Sequence, residues 1–331
     1  MNLVQILSLT SEILNRYVCL ILLILGNIGN IFAIVILARK YWRKNVCVFY
    51  FNICLICNTC YINTSIVGKT LNSFNIKLYD ANVVICKIYF YTVYVFGTLL
   101  PAVLILASID RLLISSQNVD TRLYSSKRLA YLSVSCTTIF FFLSFIHLLV
   151  KVSLQEIAPS YIICYYDLDQ VYIYMIGLLS LIINCLISLT MMILCAFAFK
   201  NVRKIIIVRR SQSQQIRTMT KKDFQLLRCL FAHNIIYIIF SLGMSIYPVY
   251  QMISFAKIKS PIEQLISDFF LTVVYTLHHI PYCANFYIYF IISRAFRNEV
   301  KRKVSRLFRQ QVIPINEEDM NNNNNITIPI S

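Results

Sequence analysis

Acidic side chains are scarce in this sequence: 14 Asp and Glu stand against 31 Lys and Arg in 331 residues. Charged residues of both signs make up only 14%, while hydrophobic types reach 58%. A soluble domain carries about a quarter charged residues, so a water-soluble enzyme of two ordinary domains, which the length alone would allow, is disfavoured. Six Gly and seven Pro argue against a collagen-like or linker-rich chain. The high hydrophobicity argues against intrinsic disorder outside the tail. Signatures of common catalytic chemistry are missing as well. There is no His-Glu-x-x-His, no Ser–His pairing, no paired carboxylates inside the apolar runs and no Gly-rich phosphate loop. No catalytic residue, metal site or cofactor is therefore expected. With so much apolar sequence, the formal net charge of +17 is expected to meet anionic lipid headgroups or a cytosolic partner rather than nucleic acid.

The twelve Cys do not make a framework of the secreted kind. Most lie inside apolar runs, such as Cys54, Cys57 and Cys60, or Cys185 and Cys195, where a thiol acts as a small apolar group. Cys57-x-x-Cys60 has zinc or redox spacing, but no second pair or nearby His completes it. Cys86 and Cys164 alone sit beside polar, loop-like sequence, which makes them the candidate disulfide pair. No basic region precedes the first apolar run, and that run is long enough to span a bilayer, so it reads as a crossing rather than a removable signal peptide.

A crossing helix needs roughly 20 mostly apolar residues, because the hydrocarbon core is about 30 Å thick and the helix rises about 1.5 Å per residue. Seven stretches meet this length: 17–38, 46–68, 82–113, 129–150, 171–199, 224–253 and 264–292. They are continuously apolar rather than alternating, so helices are expected and not a barrel. Basic residues set the orientation. They concentrate at 39–44, 111–128, 200–222 and 294–309, on alternate connections. The other connections hold only Arg16, Lys69, Lys77, Lys87, Lys151, Lys257 and Lys259. The expected arrangement is an all-α membrane protein, a seven-transmembrane helix bundle (17–292) with residues 1–16 outside and the C-terminus in the cytosol. A C-terminal amphipathic membrane-surface helix follows over 293–309, with Phe296, Val300, Val304, Leu307 and Phe308 on one face and basic residues elsewhere. The Asn-rich tail 310–331 reads as low-complexity. Asn325-Ile326-Thr327 matches a glycosylation triplet on the cytosolic side, and Asn63-Thr64-Ser65 matches one within the second span.

Cys86 opens the third span and Asp110-Arg111-Leu112 closes it, about 36 Å further along a helix. A Cys at one end, its partner Cys164 in the loop after span four, and Asp-Arg at the other end resemble the rhodopsin-like G-protein-coupled receptors over about residues 17–309. Gly29-Asn30, Asn58 in span two, Pro248 in span six and Asn285-Phe286-Tyr287-Ile288-Tyr289 in span seven are similar to the family's pattern. The departures are Leu112 in place of Tyr, Asn58 in place of Asp, Phe286 in place of Pro, no Trp in spans four or six, and no Pro in span five. Arg228 stands where many members carry an acid that pairs with the arginine of span three.

The resemblance implies a disulfide from Cys86 to Cys164 and G-protein coupling through Asp110 and Arg111. It also implies an activation switch built from Asn30, Asn58, Pro248, Asn285 and Tyr289. The partners implied are a heterotrimeric G protein and an extracellular ligand, with the chain in the plasma membrane. Val93 replaces the Asp of amine receptors, and His279 stands where opsins carry the retinal lysine. A small peptide is the expected ligand, with Tyr94, Asp167, Tyr275, His278 and His279 as candidate binding residues. Two other readings stay open: a receptor-like protein that binds ligand without coupling, and a transporter or channel.

Overall fold

The computed structural model describes residues 3–43, 45–116, 120–121, 124–158, 161–167, 169–211, 221–254 and 260–312. About 85% of these described residues are helical. Among the described residues, six helices are long and apolar enough to cross a membrane.

The first rod runs Leu3–Leu37. It comprises α1 (Leu3–Ile13), a π-helical turn (Leu14–Val18) and α2 (Cys19–Leu37). The stretch 1–16, expected as a separate segment, is therefore helical from Leu3 and continuous with the first span. Next come α3 (Val46–Ser73), α4 (Val83–Ile114), α5 (Lys127–Ser144) and the short α6 (Leu148–Lys151). Strands β1 (Val152–Ala158) and β2 (Tyr161–Tyr166) follow. The remainder is α7 (Gln170–Ser211), α8 (Lys221–Ser254), α9 (Pro261–Cys283), α10 (Asn285–Ile292) and α11 (Arg294–Val312).

Local chemistry explains where the helices begin. Asn45 caps α3 by accepting from Cys47 N, and Asn82 caps α4 by accepting from Val84 N and Ile85 N. Ser126 does the same for α5. Ser260 and Glu263 form a reciprocal capping box at α9, with Pro261 in the first turn. Asn75, with φ 62°, takes the left-handed conformation just beyond α3, a conformation that Asn tolerates better than most residues. α9 and α10 are separated at Ala284. α9 is not among the six apolar helices: it carries Glu263, Asp268, His278, His279 and Pro281, which lower its hydropathy.

An all-α fold was expected, and that expectation needs correction. β1 and β2 pair antiparallel, with Val152 opposite Tyr166 and Leu154 opposite Cys164. The Tyr161–Tyr166 run is short and apolar throughout, so alternation did not mark it as a strand.

Burial is arranged for an apolar solvent. α4 is central and packs against α3, α5, α7 and α8. α5 buries only Ala130 and Val134, while Leu132, Ile139, Phe140 and Leu143 are exposed. So much exposed apolar surface on a peripheral helix is stable against lipid and not against water. Close helix contacts use glycine. A Cβ at Gly68 would lie 2.6 Å from the Tyr89 ring, so α3 and α4 approach there only because that atom is missing.

Candidate functional site

Two polar constellations stand at opposite ends of α4. At the hairpin end, Cys86 is joined to Cys164, with 5.6 Å between their Cα atoms. The bond fastens β2 to the start of α4. Asp80 reinforces it by accepting from Cys164 N at 2.7 Å. The base of the hairpin is closed by Lys151 Nζ, 3.1 Å from Asp167 Oδ2, and by Asp167 N donating to Lys151 O. The lysine ammonium holds the exposed Asp167 carboxyl below the ordinary carboxylate value. The hydroxyls of Tyr94 and Tyr166 are hydrogen-bonded across α4 and β2.

Deeper in the bundle, Ser65 joins α3 to α9. Its Oγ lies 2.6 Å from Tyr275 OH and 2.9 Å from His279 Nε2. Tyr61 stacks on His279 and on Tyr282, with centroids 5.2 and 4.2 Å away. His278 faces Tyr282 OH at 3.4 Å. The expected ligand residues thus divide into three groups. Tyr94 meets the hairpin, Asp167 sits at its exposed base, and Tyr275, His278 and His279 form a buried aromatic and imidazole cluster.

At the other end of α4, Arg111 is completely buried. Its Nε donates to Asp110 Oδ2 at 3.0 Å, and Nη2 reaches the same oxygen. Nη1 donates to Asp223 Oδ1 at 3.1 Å, from the first turn of α8. Asp223 Oδ1 also accepts from Asn45 Nδ2 at 2.6 Å. Asp110 takes a further bond from Ser125 Oγ. A fully buried guanidinium is stable only with such partners. The resemblance puts Arg228 at the position where many members carry the acid that pairs with the arginine of span three. Instead Asp223, five positions earlier, supplies the acid, and the exposed Arg228 lies over the Phe224 ring. Asp223 and Asn45 were both missed, since each is an ordinary helix-start residue in the sequence.

The foot of α8 is tied a second time. Gln225 Oε1 accepts from Ser293 Oγ at 3.0 Å and from Ala295 N at 3.1 Å, at the corner between α10 and α11. Arg39 Nη1 reaches Glu299 Oε2 of α11 at 2.8 Å. A cavity of about 130 Å³ lies beside Asp110, lined by Tyr50, Ile109, Ser125, Leu129 and Ser133 among others.

Between the two ends runs a chain of buried amides. Asn30 Nδ2 and Asn285 Nδ2 both donate to Tyr282 O, at 3.2 and 3.4 Å. The Asn58 side chain and the Tyr289 hydroxyl are buried without a protein hydrogen-bond partner among the described residues. Tyr289 stacks on Phe51 at 5.1 Å. Buried polar atoms of this kind require water or a moving partner. Pro248 falls within α8, and its side chain lies outside the described residues, as do residues 313–331, including Asn325. Asn63 of α3 donates to Asn27 Oδ1 of α2 and to Thr59 O of its own helix.

The chain matches no protein-family model and no curated protein.

Proposed function

We propose that the chain is a rhodopsin-like G-protein-coupled receptor of the plasma membrane, with a small peptide as ligand. In this reading α9 and α10 together make the seventh crossing, interrupted where Ala284 separates them. The hairpin end faces the medium, the Arg111 end faces the cytosol, and α11 lies on the inner leaflet with Phe296 turned into the bundle. The basic residues on alternate connections support this orientation.

The observation that carries the reading is the pairing of Arg111 with Asp223. It ties the end of α4 to the foot of α8 by a buried, two-sided ion pair. Such an arrangement has two discrete states: α8 held against α4, or α8 swung outward with Arg111 uncovered. Ligand binding at the hairpin end favours the second state if it binds that state more tightly. Three polar groups lie between the two ends. Tyr94 touches the hairpin, α9 carries Tyr275 and His279, and the Asn30–Tyr282–Asn285 amides lead toward Tyr289. Their unpartnered polar atoms supply bonds that rearrange as Pro248 bends the cytosolic half of α8. Arg111, once uncovered, meets the C-terminal helix of a Gα subunit.

The test is nucleotide exchange on a panel of Gα subtypes by full-length protein in lipid nanodiscs, with and without a neuropeptide panel. Wild-type protein is expected to accelerate exchange on at least one subtype. Arg111→Ala, made in equal folded amount, is expected to abolish it. Equal exchange by the two proteins would remove the coupling role.

A further inference from the structure

We propose that Lys69 reads a carboxylate carried by a ligand from the medium, forming an anion subsite beside Tyr275. α3 places Ser65 and Lys69 one turn apart, on one face. Ser65 is buried and bonded to Tyr275 and His279 of α9. Lys69 therefore turns toward the bundle and not toward lipid. It is half-buried, so a ligand can reach it.

Its surroundings answer the charge only in part. Lys69 Nζ lies 5.1 Å from the Tyr275 ring centroid. Among the described residues it forms no ion pair, and Asp268 and Cys19 act on it only electrostatically. Compare Arg16 with Glu12, Arg39 with Glu299, Arg111 with Asp110 and Asp223, and Lys151 with Asp167. Each of those cations has a carboxylate at hand. A ring face compensates only part of the cost of withdrawing an ammonium from water. An ionisable side chain placed this way within a span calls for a partner.

The neighbouring residues indicate the chemistry. Gly68 lets the Tyr89 ring lie against α3, and Tyr79 stacks on Tyr89 at 4.7 Å. The side chain of Tyr89 also interacts with Tyr275. The surroundings of Lys69 thus offer flat aromatic rings and one ammonium. A single cation near Asp268 suits a singly charged carboxylate better than a phosphate, which usually recruits arginine or several donors. The C-terminal acid of a short peptide fits that description. This deepens the receptor reading and rests on its placing the hairpin end in the medium.

The test uses benzoate and its neutral counterpart benzamide as probes, at constant ionic strength. Full-length protein in phosphatidylcholine nanodiscs is titrated with each, and thermal unfolding is followed. Benzoate is expected to raise the midpoint of wild type and of Lys69→Arg, and benzamide is expected not to. Lys69→Gln is expected to weaken the benzoate response about ten-fold or more, the size of one hydrogen bond to a charged group. In wild type, benzoate is also expected to protect Lys69 from acetylation by acetic anhydride, a readout that needs no variant. The proposal fails if benzoate has no effect on wild type, if benzamide matches it, or if Lys69→Gln responds like wild type. Loss of the response on adding phosphatidylglycerol to the nanodisc would assign Lys69 to lipid headgroups and equally overturn it. Binding is read without a G protein. A benzoate response with no nucleotide exchange would keep the subsite and reject the coupling.

Discussion

Replacing Asp223 by Asn should turn the protein on without ligand. The Asp223 carboxylate accepts from Arg111 Nη1 at 3.1 Å and from Asn45 Nδ2 at 2.6 Å. An amide at 223 keeps an oxygen for Asn45 but removes the charge that faces Arg111. The guanidinium still has Asp110, so the loss is smaller than for a buried ion left alone. It should be about 1.5–3 kcal/mol, the range for a hydrogen bond to a charged group. Each 1.36 kcal/mol is a factor of ten, so the balance between the closed and open positions of α8 should move by about 10- to 150-fold. If the open state begins at about 1%, it rises to between about a tenth and somewhat over half of the molecules. The assay is ligand-free nucleotide exchange in nanodiscs, normalised to folded protein. Asp223→Glu should restore part of the latch, and Arg111→Ala combined with Asp223→Asn should be silent. Ligand-free exchange by Asp223→Asn at the wild-type level, on a Gα subtype that the ligand-stimulated wild type activates, would refute the latch.

Other expectations concern the hairpin end. Cys86→Ser and Cys164→Ser should cause the same loss of thermal stability, and the double variant should be no worse, because both single changes break one bond. The chain-entropy contribution of a loop of this length is about 4.5 kcal/mol, and additive losses in a thermal-shift assay would count against a shared role. Gly68→Ala should lower stability by about 1–3 kcal/mol, since the Tyr89 ring must move from its stack on Tyr79; Tyr89→Leu in the same background should recover much of the loss. Asp167 is held below its ordinary value near 3.8 by Lys151. Its stabilising effect should therefore be complete above that pH and vanish as the pH falls through the lowered folded value. The difference in thermal midpoint between wild type and Asp167→Asn should close over that acid window, and a difference that persists unchanged would show that the ion pair is not its source.

Much of the architecture is written locally. Continuous apolar runs mark the six long helices, because a helix in lipid must be apolar along its length and satisfies its own backbone. Asn45, Asn82, Ser126 and Ser260 stand where helices start, since capping needs only a side-chain acceptor two or three residues ahead. Cys86 and Cys164 stood out because their neighbours are polar, and Asp110-Arg111 because charges at the end of a long apolar run are rare. The hairpin was not legible: its second strand is another short apolar run, and pairing is a relation between segments. Nor was the partner of Arg111. Arg228 and Asp223 are five residues apart, which on a helix turns one about 140° from the other. Spacing along the chain does not decide which of them faces α4; the packing of α8 does. The same holds for Ser65 with Tyr275, 210 positions apart, and for the Lys69 ammonium over that ring. A sequence fixes which groups each helix offers. Only the rotation and depth at which the helices pack decide which of those groups meet.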